Sequence, residues 1–171
     1  MRKSTMENTY DPDVVKTTPN APCHKPFVYD LFLAQRTEEL ELAHLPPRQR
    51  QPILDMQFRA HEQHHAHAYP VVRDQIILVK TEPVGRVIQG FSGNRMILAD
   101  ICIQKQRRGK GIAGTVIRRF QKEAGKENME MTLTVYKWNP AVGIYRHLGF
   151  KVAGENEIML LMSWLPDSVS M

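Results

Sequence analysis

The apolar positions of this chain change their spacing several times, and each spacing predicts one kind of element. Runs of aliphatic residues typical of strands occupy 75–81, 84–91 and 96–103, with short polar turns between them. Residues 112–124 have helical spacing, with one apolar face and one basic face. Residues 129–135 then alternate between apolar and polar side chains, as a half-buried strand does. The centre of the chain is therefore predicted to be a sheet interrupted by one amphipathic helix.

The flanking segments extend this pattern on both sides. The aromatic and aliphatic run at 27–34 predicts a first strand, and 37–68 contains two predicted helices. A short helix is predicted from Pro140 to Gly149, because proline suits a first helical turn and glycine suits a helix exit. Two closing strands are predicted at 150–152 and 158–165. The whole order is that of a mixed α/β domain built on one sheet.

Composition sets the domain boundaries and excludes some classes of protein. Residues 1–26 are polar and contain four prolines, so we predict a flexible leader before a domain at 27–166 and a short tail at 167–171. With 171 residues, 42% of them hydrophobic, the chain is long enough for one buried core. Its apolar runs are far shorter than the roughly 20 residues of a membrane span, and no secretory signal is apparent, so a cytoplasmic protein is predicted. The only cysteines, Cys23 and Cys102, are predicted to be free thiols.

The most informative segment for chemistry is the loop between the third aliphatic run and the amphipathic helix, Gln106-Arg107-Arg108-Gly109-Lys110-Gly111. Its two glycines leave backbone N–H groups unobstructed, and a helix N-terminus carries roughly half a positive charge. Several phosphate oxygens can therefore bind to this loop. The pattern predicts a phosphate-binding site without selecting the ligand.

A second motif lies in the next predicted helix and consists of Asn139-Pro140-Ala141, Tyr145 and Leu148-Gly149-Phe150. In this order the two motifs resemble the Q/R-x-x-G-x-G/A loop and the NPA…Y…LGF segment of the GNAT superfamily of acyl-CoA-dependent N-acetyltransferases. The resemblance covers roughly residues 28–165. It implies an α/β (α+β) fold with a single mixed, mostly antiparallel central sheet of about six or seven strands and about four flanking helices.

The resemblance also implies which residues hold the co-substrate, acetyl-CoA. Backbone N–H groups of the loop and of the first helical turn would bind the pyrophosphate, and the pantetheine arm would pair with the preceding strand. That strand also fits an ordinary buried strand, and Asn139 also fits a helix cap. The implied cofactor-binding residues are Ile101, Cys102, Ile103, Gln106, Arg107, Arg108, Gly109, Lys110, Gly111, Ile112, Ala113, Gly114, Asn139 and Tyr145.

Direct transfer of an acetyl group to an amine requires a proton acceptor, a donor to the oxyanion and a proton donor for the leaving thiolate. Tyr145 matches the position of the family's proton donor, and its alternative role is a ring packed in the core. Asp100 is the candidate base, because a carboxylate in an apolar strand needs a partner; its alternative role is a structural hydrogen bond. The resemblance implies a backbone N–H near Ile103 as the donor to the oxyanion.

A histidine-rich stretch, residues 61–67, lies on the second predicted helix. His61, His64 and His65 share a helical face, but no cysteine or carboxylate pattern elsewhere completes a tetrahedral ligand set, so we predict no metal. In the resembled fold this helix borders the acceptor cleft, and a solvated helix end is the alternative interpretation. The candidates to line that cleft are Gln57, His61, His64 and Tyr69.

These observations favour an enzyme, an N-acetyltransferase that moves an acetyl group from acetyl-CoA to a primary amine of a small molecule or peptide in a ternary complex. Two alternatives stay open: a toxin-like acetyltransferase acting on aminoacyl-tRNA, and a non-catalytic CoA-binding module. The net charge of +5 permits nucleic acid as a partner without selecting it. No membrane partner is predicted, a homodimer stays open, and the sequence does not name the acceptor.

Overall fold

The structure, a computed structural model, describes residues 10–167 and contains one seven-stranded sheet. Its strands are β1 (Val15–Pro19), β2 (Val71–Val79), β3 (Glu82–Ser92), β4 (Arg95–Ile103), β5 (Glu130–Tyr136), β6 (Lys151–Glu155) and β7 (Met159–Trp164). The order across the sheet is β1-β2-β3-β4-β5-β7-β6, and every neighbouring pair is antiparallel except β4–β5. This confirms the predicted mixed, mostly antiparallel sheet.

Four α-helices flank the sheet, as predicted: α1 (Lys25–Glu39), α2 (Pro47–His67), α3 (Ile112–Lys126) and α4 (Ala141–His147). The main core lies between α3, α4 and one face of the sheet. Helix α3 reaches this core because its apolar residues recur at helical spacing; Val116, Ile117 and Phe120 are all buried. Each such side chain stabilises the fold by about 1.5–3 kcal/mol relative to an exposed one.

Alternate residues of β2 to β4 face the opposite side of the sheet, toward α1 and α2. Buried side chains on these helices, such as Phe32 and Leu54, form a smaller apolar layer there. The rings of Phe32 and Phe58 hold α1 against α2, with centroids 5.3 Å apart in an edge-on arrangement. Helix α2 therefore has a fixed position over the centre of the sheet.

The first predicted strand is a helix. Residues 27–34 lie within α1, and the helix predicted from residue 37 is the end of α1 followed by a short 3₁₀ turn. Val28, Leu31 and Phe32 are buried at spacings of three and one residues, so one helical face carries the burial. Short apolar runs fit a strand or a buried helix equally well, and Pro26 stands in the first turn, where proline favours a helix.

The predicted leader also differs from the structure, which places residues 15–19 in the sheet as β1. This strand pairs with β2, and Val15 is fully buried. The prolines that suggested disorder occupy positions that need no N–H donor: Pro12 and Pro22 each open a 3₁₀ turn, and Pro19 ends an edge strand. Residues 1–9 and 168–171 lie outside the described residues, including most of the predicted tail.

Strands β4 and β5 separate after a short contact. Only residues 95–97 of β4 pair with β5, through residues 130–132. The β3–β4 register shifts where Leu98 and Asp100 face consecutive residues of β3, so Ala99 is an extra residue of a β-bulge. The rest of β4 leads away from β5 toward the glycine loop. An opening therefore lies between the two parallel strands at the C-terminal end of β4.

Candidate active site

The glycine loop has the backbone geometry of an anion cradle. Gly109 and Gly111 have φ values of +74° and +79°, a region that disfavours other residues. A Cβ added at Gly109 or Gly114 would meet no atom within 4 Å, so space for a ligand is open beside the loop. The amides of the first turn of α3, which includes Ile112 and Ala113, have no intrahelical acceptor. These residues fit a pyrophosphate group.

The basic side chains of the loop are anchored to the rest of the protein. Arg107 donates to the Tyr10 hydroxyl and to Glu82, at 2.6 Å in each case. Arg108 donates to the Ile103 carbonyl at 3.1 Å and makes a longer contact of 3.4 Å with Glu38. These contacts fix the loop, and they balance part of its positive charge with carboxylates.

The C-terminal half of β4 turns backbone groups toward the opening. Gln104 donates its N–H to the Val84 carbonyl on the β3 side, at 2.9 Å. Backbone direction alternates along a strand, so Ile101 and Ile103 direct their N–H and C=O groups to the opposite edge, which β5 has left. The site therefore offers a short exposed strand edge directly before the anion cradle.

Tyr145 lies on α4 and is only 8% exposed. Its ring contacts Phe150 edge-on, with centroids 6.0 Å apart. No hydrogen-bond partner of its hydroxyl occurs among residues 10–167. Burial and, to a lesser extent, the negative charge of Asp100 raise the pKa of Tyr145 to about 12. The phenol is therefore a protonated donor at neutral pH, and it lies within electrostatic range of Asp100.

Asp100 faces α2 and accepts a hydrogen bond from His61. The distance from His61 Nε2 to Asp100 Oδ2 is 3.2 Å. Burial disfavours the charged imidazole, but hydrogen bonds to Asp100 and Glu62 outweigh it and raise the pKa of His61 to about 8. Asp100 therefore has a structural hydrogen bond, and its partner is an imidazole that is largely protonated at neutral pH.

A buried ion-pair network holds His61 in place. Arg86 on β3 is 6% exposed and binds Glu62 on α2 through two N–O contacts of 2.5 and 3.1 Å. It also binds Asp74 on β2, with contacts of 2.9 and 2.7 Å. Glu62 contacts His61 Nδ1 at 3.4 Å, and hydrogen bonds from His61 and Arg86 lower the pKa of Glu62 to about 2 despite its burial.

Asn139 caps α4 as the pattern predicted, because its Oδ1 accepts the Ala141 N–H at 2.9 Å. Cys102 is buried on β4, and burial raises the pKa of its thiol to about 12. Cys102 and Cys23 are both free thiols. The Cys102 side chain is therefore a neutral packing group, and its backbone carbonyl points to Gly85 on β3.

The family model for the GNAT acetyltransferase domain matches residues 58–166, which is more than half of the chain. The chain belongs to the GNAT acetyltransferase family. No curated protein sequence matches this GNAT protein at a significant level. The match begins within α2, so the family assignment rests on strands β2 to β7, the glycine loop, α3 and α4.

Solved structures share the fold of this GNAT protein at low sequence identity. An acetyltransferase from Thermus thermophilus superposes with a TM-score of 0.67 at 18% identity, covering 89% of this chain and 97% of the other. The spermidine N-acetyltransferase from Vibrio cholerae, in complex with CoA and spermine, gives 0.64 at 19% identity and covers 90% and 96%. PaiA N-acetyltransferase from Thermoplasma acidophilum, in complex with coenzyme A, gives 0.65 at 12% identity and covers 88% and 98%.

The four histidines at 61–67 of this GNAT protein differ in their exposure to solvent. His61 and His65 are partly buried and face Asp100, whereas His64 and His67 are exposed. The sequence predicted no metal because no carboxylate pattern completed the ligand set. In the fold, Asp100 on β4 brings a carboxylate next to the two histidines. Within the described part of the chain, no helix has the length and apolarity needed to cross a membrane.

Sequence reasoning missed the Arg86 network and the anchoring role of Tyr10. Arg86 stands in a buried strand of this GNAT protein, between Gly85 and Val87, and a buried guanidinium needs carboxylate partners. That signal indicates partners without naming Glu62 or Asp74. Tyr10 has no comparable signal, because its contact with Arg107 crosses most of the chain.

Proposed function

We propose that this GNAT protein transfers an acetyl group from acetyl-CoA to a primary amine of a small molecule or peptide by direct attack in a ternary complex. The observation that carries the proposal is the opening beside β4. It has the anion cradle at one end and Tyr145 and Asp100 close to its edge. This arrangement supports a site in which the groups proposed to bind the donor and the groups proposed to transfer protons act together.

The residues of the opening fit the parts of the donor. Acetyl-CoA supplies an acyl group already activated as a thioester. The N–H groups of the loop and of the first turn of α3, up to Gly114, would hold the pyrophosphate. The backbone of Ile101 and Ile103 would pair with the amides of the pantetheine arm. The guanidinium groups of Arg107 and Arg108 fix the loop from the protein side.

Asp100 is proposed as the proton acceptor for the attacking amine. A primary amine has a pKa near 10.4 and is mostly protonated at neutral pH, so it must lose a proton before attack. That first proton goes to solvent. As nitrogen bonds to the acyl carbon and the carbon–sulfur bond breaks, the amine's second proton passes to the Asp100 carboxylate, which the hydrogen bond from His61 holds in place.

Two donors stabilise the charge that develops on the acyl group and on sulfur. The backbone N–H of Ile103 is directed to the opening and is the proposed donor to the oxyanion. Tyr145 is the proposed acid, because its phenol is protonated and lacks a hydrogen-bond partner in the described structure. Its proton goes to the departing thiolate, and the phenolate regains a proton from solvent.

Direct transfer is favoured over an acyl-cysteine intermediate. A cysteine nucleophile reacts as its thiolate, and the high pKa of Cys102 keeps that thiol neutral. The acceptor is an amine by analogy with structural relatives such as the spermidine N-acetyltransferase. Within that class, the acceptor of this chain stays open. A cytoplasmic location and a homodimer remain predictions of the sequence.

The test of this proposal is a thermal-shift titration with acetyl-CoA, followed by thiol-release assays on a panel of primary amines. We expect stabilisation by acetyl-CoA, about 2.7 kcal/mol at 100 times the Kd, and release of thiol with at least one amine. Gly109→Glu should abolish the shift, because it adds a side chain and a negative charge to the cradle. Gly93→Glu is the matched control, since Gly93 also has positive φ and open surroundings but lies in the β3–β4 turn.

Three outcomes contradict parts of the proposal. No thermal shift with acetyl-CoA would contradict donor binding itself. An equal loss of the shift in the Gly93 variant would assign the effect to backbone strain. Binding without thiol release on any amine would identify a CoA-binding module in place of an enzyme.

A further inference from the structure

We propose that His61, His65 and Asp100 form a binding site for one divalent first-row transition metal ion, such as Zn²⁺. One ring nitrogen of each histidine and one carboxylate oxygen of Asp100 lie within 4.8 Å of one another. His61 Nε2 and Asp100 Oδ2 are 3.2 Å apart. A tetrahedral Zn²⁺ site with bonds of about 2.0–2.1 Å has ligand atoms about 3.3 Å apart. That pair therefore already has the spacing of two metal ligands.

The two histidines come from one rigid face. His61 and His65 are four residues apart on α2, so their side chains project one above the other. Their ring centroids are 4.4 Å apart. The third ligand comes from β4, and both elements are fixed by the fold. The His65 nitrogen is within 4.8 Å of the other two ligand atoms, so closure of the site around an ion requires it to move closer to them.

Hydrogen bonds behind the proposed ligands already orient His61. Its Nε2 faces Asp100, while its Nδ1 lies 3.4 Å from Glu62 Oε1. Glu62 is in turn held by two contacts with the Arg86 guanidinium. Metal-bound histidines almost always donate their other N–H to such a carboxylate, which fixes the tautomer and the ring plane. The arrangement matches a carboxylate–histidine–metal triad.

The environment of the His65 side chain also supports a metal site. Its Nδ1 is buried and has no hydrogen-bond partner among the residues described here. All three ligand residues are only partly buried, so an ion can reach them from solvent. Two imidazoles and one carboxylate suit Zn²⁺, Co²⁺, Ni²⁺ or Cu²⁺, whereas Mg²⁺ and Ca²⁺ prefer oxygen ligands alone.

The site would control acetyl transfer, a consequence that rests on the proposed function. A metal ion would take the place of the proton between His61 and Asp100 and would occupy the carboxylate. Asp100 could then no longer accept a proton from the amine. Metal binding should therefore inhibit the enzyme, and a chelator should restore activity.

Binding is tested with chelator-treated protein that carries no histidine tag and has Cys23→Ser to remove the exposed thiol. Co²⁺ is titrated while its visible d–d absorption is recorded, and Zn²⁺ is titrated by calorimetry. One equivalent should bind, with the intense bands of tetrahedral or five-coordinate Co²⁺. His65→Ala should weaken binding by about 10-fold or more, and Glu62→Gln by about 10- to 100-fold. His64→Ala should bind as before, because His64 is an exposed neighbour outside the ligand set.

Absence of saturable binding, or equal losses in the His64 and His65 variants, would overturn the proposed site. Activity is then compared with and without Zn²⁺ within each variant. Inhibition that a chelator reverses in wild type and His64→Ala, and that is lost in His65→Ala, supports both the site and its consequence. Binding of one equivalent without inhibition would support the metal site and overturn the role of Asp100 in acetyl transfer.

Discussion

At the scale of single residues, two ionisable groups near the opening have different environments and so different uses. Tyr145 is enclosed, which raises its pKa to about 12 and keeps it protonated. Asp100 is partly exposed and bound to a histidine. Such a division fits the donor role proposed for the phenol and the acceptor role proposed for the carboxylate.

Replacement of Tyr145 by phenylalanine should lower kcat by roughly 10²-fold, the range expected for loss of a general acid. The ring and its contact with Phe150 would remain, so acetyl-CoA binding and stability should change little. Steady-state kinetics on the best amine, together with a thermal-shift titration, measures both effects.

The pH dependence of the reaction rate gives a second, independent test of the role of Tyr145. Since the Tyr145 pKa is near 12, the phenol does not ionise between about pH 6 and 10. Wild type and Tyr145→Phe should therefore have pH–rate profiles of the same shape, displaced by a constant factor. A decline at alkaline pH that occurs only in wild type would contradict the buried, protonated phenol.

At the scale of elements, the position of α2 over the sheet decides which of its side chains reach the site. Arg86 ties the C-terminal part of α2 to β3 through Glu62. Just beyond the end of the helix, the Tyr69 ring packs on Gly90 so closely that a Cβ there would lie 2.3 Å from it. These two contacts set the rotation of α2 that directs His61 toward Asp100.

Gly90→Ala should destabilise the protein by about 1–3 kcal/mol, the usual cost of overpacking. The added methyl group would meet the base of the Tyr69 ring, which cannot move aside without shifting the end of α2. Urea unfolding measures the change in the free energy of unfolding.

The matched control is Gly143→Ala on α4, where an added Cβ meets nothing within 4 Å and the helix favours alanine. It should leave stability unchanged or raise it by up to about 1 kcal/mol. Equal destabilisation by both substitutions would contradict the proposed Tyr69–Gly90 contact.

At the scale of the whole molecule, the N-terminal segment fastens the anion cradle to the sheet. Tyr10 donates its N–H to the Lys110 carbonyl at 3.1 Å, and its hydroxyl accepts from Arg107. Farther along, Arg119 on α3 donates to backbone carbonyls of Pro12 and Val15. The segment that the composition predicted to be a flexible leader thus supports the glycine loop and helix α3, which follows the loop.

Tyr10→Phe should weaken acetyl-CoA binding by about 2- to 10-fold, the effect of one hydrogen bond worth about 0.5–1.5 kcal/mol. Arg107 would lose one of its two anchors and the loop would be less ordered. Calorimetric titration with acetyl-CoA measures the affinity.

Tyr29→Phe serves as the control, because it also removes a tyrosine hydroxyl, one that binds Asp55 on α2 instead of the loop. It should bind acetyl-CoA as the wild type does. The same affinity in all three proteins would show that the hydroxyl of Tyr10 does not order the loop.

Sequence patterns predicted the elements whose signals are local. The alternation in β5, the apolar face of α3 and the glycines of the loop each depend on neighbouring residues, so the sequence alone was enough to predict them. The pairing of His61 with Asp100 spans 39 positions, and the contact of Arg107 with Tyr10 spans 97. No local sequence pattern indicates a contact between residues so far apart in the chain. The prolines of the first segment were misleading because an edge strand tolerates them at its ends.

The contacts that Arg119 makes with the first strand and the turn before it have a consequence for biosynthesis. The two partners are separated from Arg119 by 104 and 107 positions, so β1 leaves the ribosome long before α3 exists. Contacts between such distant residues are slow to form, because the chain between them must first be closed into a loop. We expect the loop at 106–111 to become ordered only after α3 has been synthesised and has contacted β1, well after the first strands have left the ribosome.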